Sequence, residues 1–193
     1  MCEEKKYYGK TLNLPKTDFP MIGNLQENEP KIFDEIFDKD LYEKMVKKNE
    51  GKEPFVLHDG PPYANGEIHA GHAINKVLKD TIVRYKNLKG YYTPFIPGFD
   101  THGMPTEKKA IEKLGLNRDE IPVIKFRDTC KEFNQEYIEK QTEGFKRLGV
   151  LADWKHPYIT YQPQMEAKQI GVFGTMYKKG YIYKGLKPVY WCT

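Results

Sequence analysis

The stretch that most narrows what this chain can fold into runs from Pro54 to Gly103. Pro54-Phe55-Val56-Leu57-His58 is a short apolar run that reads as a buried strand, and it leads directly into the loop Asp59-Gly60-Pro61-Pro62-Tyr63-Ala64-Asn65-Gly66. The spacing predicts a long helix beginning near His69. Ile74, Val77, Leu78, Ile82 and Tyr85 mark its expected buried face, and Gly90 is placed to end it. A second strand is predicted around Tyr92 to Ile96, followed by another glycine-containing loop, Pro97-Gly98-Phe99-Asp100-Thr101-His102-Gly103. Strand, loop, helix, strand, loop is half of a parallel α/β unit. In open parallel sheets ligands bind beyond the carboxyl ends of the strands, where both loops fall.

The flanking segments read as follows. Residues 1–26 are polar and irregular, with Pro15 and Pro20 as breakers. A helix is predicted to start near Pro30, with Ile32, Phe33, Ile36, Phe37, Leu41 and Met45 as a core-facing stripe and Lys44, Lys47 and Lys48 in its last turns. Beyond the second loop, helices are predicted over 105–114, over 123–148 after Pro122, and over 163–179 before Gly180; Tyr181 to Trp191 reads as extended chain. A length of 193 residues suits one domain, or one and a part, with a real core. With 39% hydrophobic and 30% charged residues the composition is that of a soluble globular protein and excludes a disordered one. The net charge of +4 fits a solvated lysine-rich surface and does not by itself imply nucleic acid. The three cysteines, Cys2, Cys130 and Cys192, are far apart and odd in number, which fits a reducing, cytoplasmic setting. No apolar run approaches the roughly 20 residues of a membrane span. Met1-Cys2-Glu3-Glu4-Lys5-Lys6 has no apolar segment behind it, so no secretory signal is expected.

Chemistry is concentrated in the two loops. His69-Ala70-Gly71-His72 stands at a loop–helix junction, where backbone N–H groups attract anions. Two imidazoles one turn apart add donors on the same face, and the glycine between them lets another group approach the backbone. Together they make a seat for a phosphate, where donors aimed at the developing charge lower a barrier electrostatically. The plain alternatives are two structural histidines or half of a metal site. The usual helical zinc pair is spaced H-x-x-x-H, and no cysteine or carboxylate cluster accompanies this one, so no metal is expected. Neither loop carries a Walker or G-x-G-x-x-G pattern. In the second loop, Asp100 at a strand end would suit a substrate ammonium, and would equally suit a turn or a helix cap.

His-x-Gly-His after a Pro-Pro-x-x-Asn-Gly loop resembles the first signature of class I aminoacyl-tRNA synthetases. The whole stretch from His58 to Asp80 resembles the isoleucyl-tRNA synthetase family specifically. Pro97 to Pro105 resembles that family's second landmark, and Thr11 to Met21 the start of its bacterial members. Ala70, Phe99 and Met104 depart from the commoner residues there, all by apolar exchange.

The resemblance implies the first half of a Rossmann-like parallel-sheet catalytic domain over residues 51–193, ending at the entry to an editing insertion, with an extension and helix over 1–50. It implies that His69, Gly71 and His72 hold ATP, with Mg2+ accompanying it, and that the two histidines are catalytic. It implies that Asp100 binds the amino group of isoleucine and that Pro61 lines the side-chain pocket. Gly60, Tyr63 and Asn65 would shape that loop. Isoleucyl-adenylate would form first and its acyl group would pass to tRNA(Ile), in a full enzyme expected to be a monomer. The family's Lys-Met-Ser-Lys-Ser signature is absent from these residues, so the chain alone is expected to be incomplete. Trp191-Cys192-Thr193 resembles the entry to the insertion, where some relatives bind zinc; with one cysteine present, zinc is not expected. The alternative is a catalytically inactive half-domain that binds nucleotide or tRNA.

Overall fold

A computed structural model describes residues 8–18, 20, 22–115 and 117–191. Cys2 and Cys192, and with them the expectations for the extreme N-terminus and for the zinc entry, lie outside these residues. Helices α1 (Leu25–Asp38), α2 (Leu41–Lys48), α3 (Ala70–Leu88), α4 (Met104–Leu114), α5 (Val123–Arg147) and α6 (Pro163–Lys178) dominate. Strands β1 (Gly98–Phe99) and β2 (Tyr158–Ile159) pair in parallel, Gly98 opposite Tyr158 and Phe99 opposite Ile159.

The predicted parallel arrangement is present, in that residues 53–64 and 92–101 run side by side joined by α3, but only the ends of these paths are paired. Phe55 N–H donates to the Tyr92 carbonyl and Tyr92 N–H to that of Glu53; further on, Asp100 N–H donates to Pro62 and Ala64 N–H to Asp100. These give the isolated bridges Pro54–Tyr92 and Tyr63–Asp100. The predicted strands Pro54–His58 and Tyr92–Ile96 are therefore not continuous, and Val56, expected to be buried, is 70% exposed. Proline supplies the reason: Pro54, Pro61 and Pro62 on one path and Pro94 and Pro97 on the other have no N–H to give a ladder. Regular pairing falls instead on β1 with β2, whose segment had no strand assigned from the sequence.

The helix forecast holds better. α3 ends as predicted, with Gly90 at φ 94 donating to the Asn87 carbonyl while Tyr91 donates to Lys86. The helices predicted over 105–114, 123–148 and 163–179 appear within a residue or so as α4, α5 and α6. The helix expected from Pro30 differs: α1 begins earlier, at Leu25, with Pro30 inside it, and is separated from α2 by Asp40, which takes a left-handed conformation at φ 46. Of its expected stripe, Ile32 and Leu41 are exposed while Phe33, Ile36, Phe37 and Met45 are partly covered.

The face of α3 is the main correction. Ile74, Val77, Leu78, Ile82 and Tyr85 are exposed, Ile74 by 62%. Its buried residues are Lys76, Asp80, Val83 and Asn87. Polar groups turn inward because each finds a partner. Asp80 accepts from Arg84 Nε and from the Leu151 amide, and Asn87 donates to the Met45 carbonyl and to Thr93 Oγ1. Of the apolar residues of α3 only Val83 is buried in the core, which consists of a cluster of Ala64, Phe99, Ile138 and Phe145 and a second of Val83, Phe95, Val150 and Ala152, with Trp154 packed against both.

Candidate functional site

His69 is the N-cap of α3, extended at φ −124, and its ring folds back so that Nδ1 accepts the Gly71 N–H at 3.1 Å. His72 reciprocates: its Nδ1 accepts the His69 N–H at 3.4 Å. The two imidazoles stack, centroids 3.8 Å apart and planes 20° from parallel. An Nδ1 that accepts carries no proton, so a neutral ring with this bond has its N–H on Nε2. Each histidine in that state keeps its Nε2–H as a donor not engaged by these two bonds. Burial, then the positive environment of His69 and Lys76, lowers the His72 pKa from its ordinary value. Gly71 has a local reason as well: a Cβ there would lie 3.0 Å from His69 Cε1.

The two histidines border a pocket of about 300 Å³. His69, Gly71, His72, Asn75 and Lys76 form its α3 side, and Gly60, Pro61 and Pro62 the facing loop, with Phe145 at the base. The structure thus brings together five of the residues singled out in the sequence: Gly60, Pro61, His69, Gly71 and His72. Tyr63, Asn65 and Asp100 do not line this pocket. Tyr63 and Asp100 stand side by side through their bridge, next to its Pro62 wall. The Asp100 carboxylate accepts the His102 N–H at 3.3 Å and the Thr160 hydroxyl at 3.5 Å, which is the turn role the sequence allowed.

Residues that sequence reasoning did not assign hold the two loops. Asp59, fully buried, binds the Lys76 ammonium through Oδ2, the Lys79 ammonium through Oδ1 at 2.8 Å, and the Gly98 N–H at 2.9 Å. Its carbonyl accepts the Tyr158 hydroxyl. The carboxylate thereby stands where backbone pairing between the two parallel paths lapses. From α5, Gln141 donates to the carbonyls of Tyr63 and Gly66, at 2.9 and 2.8 Å, and Asn134 donates to that of Thr101 at 2.9 Å. Nothing in the sequence signals these bonds, since none has a fixed spacing or motif. The nearest hint is a pair of polar residues, seven apart, on an otherwise apolar helix face.

Among the described residues, no group of three or more His, Cys, Asp or Glu is placed to hold a metal, and no helix is long and apolar enough to cross a membrane.

The arrangement is a parallel α/β unit in which a histidine-capped helix N-terminus and a glycine–proline loop border one pocket. Its fold is similar to that of the leucyl-tRNA synthetase agnB2 LeuRS of Agrobacterium radiobacter K84, solved in a ternary complex with tRNA and LeuAMS. The TM-score is 0.65 at 22% identity, over 84% of this chain and 19% of that one. Residues 31–193 match the family tRNA synthetases class I (I, L, M and V), and the chain belongs to that family. Within it, the chain is 60% identical over 185 residues to the isoleucine–tRNA ligase of Caldicellulosiruptor saccharolyticus and 61% identical to that of Carboxydothermus hydrogenoformans. In both cases 96% of this chain is covered, and it spans about 20% of the relative's length.

Proposed function

We propose that this chain supplies the ATP seat and part of the amino-acid pocket of an isoleucine–tRNA ligase. His69, Gly71 and His72 hold the phosphates of ATP, accompanied by Mg2+. Asp100 binds the ammonium of isoleucine, and Pro61, with Gly60, Tyr63 and Asn65, shapes the space for its side chain. The isoleucine carboxylate oxygen attacks the α-phosphorus, the bond from that phosphorus to the β-bridging oxygen breaks, and pyrophosphate leaves with the displaced electron pair. The acyl group of the resulting isoleucyl-adenylate then passes to tRNA(Ile), in a cytoplasmic and monomeric enzyme.

One observation carries this reading: His69 and His72, oriented by their Nδ1 bonds and stacked at the N-terminus of α3, border one pocket with Gly60 and Pro61. Donors already oriented stabilise developing phosphate charge without reorganising at the moment of reaction. The test is isoleucine-dependent ATP–pyrophosphate exchange. It is run on this chain alone and with the remainder of the Caldicellulosiruptor saccharolyticus relative supplied in trans, alongside His72→Ala and Asp100→Ala. Exchange that requires isoleucine and is lost in both variants is expected; exchange indifferent to both substitutions overturns the assignment.

A further inference from the structure

The His69/His72 pocket is lined on its α3 side by Lys76, one member of a buried ion cluster. Asp59 is fully buried and Lys76 is 2% exposed, and Lys79 completes the group from the next turn of the same helix. Lys76 follows His72 by one turn and itself lines the pocket. Lys79 stands against the opposite lip: its ammonium would be 3.7 Å from a Cβ on Gly60. Two ammonium groups face one carboxylate, so the cluster carries one positive charge in surplus. A carboxylate alone behind a phosphate seat would repel the ligand; the second lysine reverses that sign. In a half-buried site such a charge is screened far less than one in water.

We infer that the Asp59–Lys76–Lys79 cluster is the electrostatic floor of the seat, and that its surplus charge sets the affinity for the polyphosphate end of a nucleotide. The inference rests on the reading of the pocket as a phosphate seat. A purely structural cluster would do something different, namely anchor the Gly60–Pro62 loop to α3 and to Gly98 through Asp59, whatever its net charge. The two roles separate cleanly by substitution. Lys79→Met cancels the surplus and leaves the buried Asp59–Lys76 pair intact. Asp59→Asn removes the carboxylate, leaves the lysines with a positive charge no smaller than before, and abolishes most of the anchor.

The experiment measures inorganic pyrophosphate binding to this chain by calorimetry, with the thermal midpoint of each variant recorded beside it. Lys79→Met is expected to weaken binding about tenfold at low salt, Lys79→Arg to keep it, and Asp59→Asn to bind at least as tightly as the unsubstituted chain although its thermal midpoint falls. Asp59→Asn binding as weakly as Lys79→Met or more weakly, or affinities that simply follow the thermal midpoints, overturns the charge role. Pyrophosphate binding without isoleucine-dependent exchange even when the remainder of the relative is supplied in trans would overturn the activation reading and leave this inference standing. No binding by the unsubstituted chain would overturn the inference along with the seat.

Discussion

The ring of Tyr158 lies across the backbone of Gly98: a Cβ built on the glycine would fall 2.0 Å from Tyr158 Cζ. The two residues are register partners in the β1–β2 pair, and the ring continues past Gly98 to donate its hydroxyl to the Asp59 carbonyl. Burial, then the charges of Asp59 and Asp100, pushes that hydroxyl's pKa up to about 12, so it stays a donor at neutral pH. Gly98→Ala must move the ring and break its bond to the loop. A loss of about 1–3 kcal/mol, read as a lower denaturant midpoint, is expected. Combining it with Tyr158→Ala should cost less than the sum of the two single changes, because the first clash then has nothing to meet. Strict additivity would show that the ring and the glycine are not in conflict.

Gln141 is expected to matter more than an ordinary helix glutamine. It is buried, and one amide nitrogen serves the Tyr63 and Gly66 carbonyls together. Gln141→Leu fills the space but leaves both carbonyls without their donor, at a cost of about 1–3 kcal/mol. The predicted signature is local. Amide exchange in residues 60–67 should quicken well beyond that in α6, whereas uniform acceleration would mean that Gln141 stabilises the fold generally and the loop no more than the rest.

The parts of this structure legible in the sequence are those set by short-range rules. α3 to α6 follow from helical spacing, from Pro122, and from Gly90 and Gly180 just past their ends. The placement of His69, Gly71 and His72 together at the start of α3 was legible because a loop–helix junction dictates where its N–H groups point. What failed were statements about what covers a face. The apolar recurrence through Ile74, Val77, Leu78, Ile82 and Tyr85 located the helix correctly but not its buried side. Lys76 and Asp80 are inward because Asp59 and Leu151, distant in sequence, meet them there. The strand forecast failed for a reason present in the sequence, the five prolines that interrupt both paths. The Asp59–Lys76 pair had no such signal, since a carboxylate and an ammonium 17 positions apart are unremarkable until the chain folds.

The lowered pKa of His72 fixes the sign of a pH effect. Its folded value lies below the ordinary 6.5, with burial the leading cause. Between those two values the unfolded chain holds more protons than the folded one, so stability rises with pH across that window. The penalty is complete below the folded pKa and absent above 6.5. Stability is therefore expected to fall as pH drops below 6.5, and the decline should flatten in His72→Gln. The imidazole carbon-bound protons of His72 should titrate below those of a model peptide in nuclear magnetic resonance spectra. A midpoint at or above the peptide value would contradict the stacked, Nδ1-accepting geometry.

The exposed stripe on α3 has a consequence for the chain in solution. Ile74, Val77, Leu78, Ile82 and Tyr85 lie on one side of a 19-residue helix, and Leu88 continues the row at 84% exposure. Contiguous apolar surface of this kind on a single chain favours association, because water is released from both faces that meet. The 193-residue chain is expected to self-associate as its concentration rises and to bind a hydrophobic dye while still folded. Leu78→Lys and Ile82→Lys, both at exposed sites, should suppress both behaviours with a stability change of about 0.5 kcal/mol or less. Sedimentation velocity across a concentration series decides it. A chain that stays monomeric throughout, or one whose association is untouched by both lysines, would show that the stripe is not the adhesive surface. Association lost only alongside a collapse of the thermal transition would assign those residues to the core, where the sequence periodicity had first placed them.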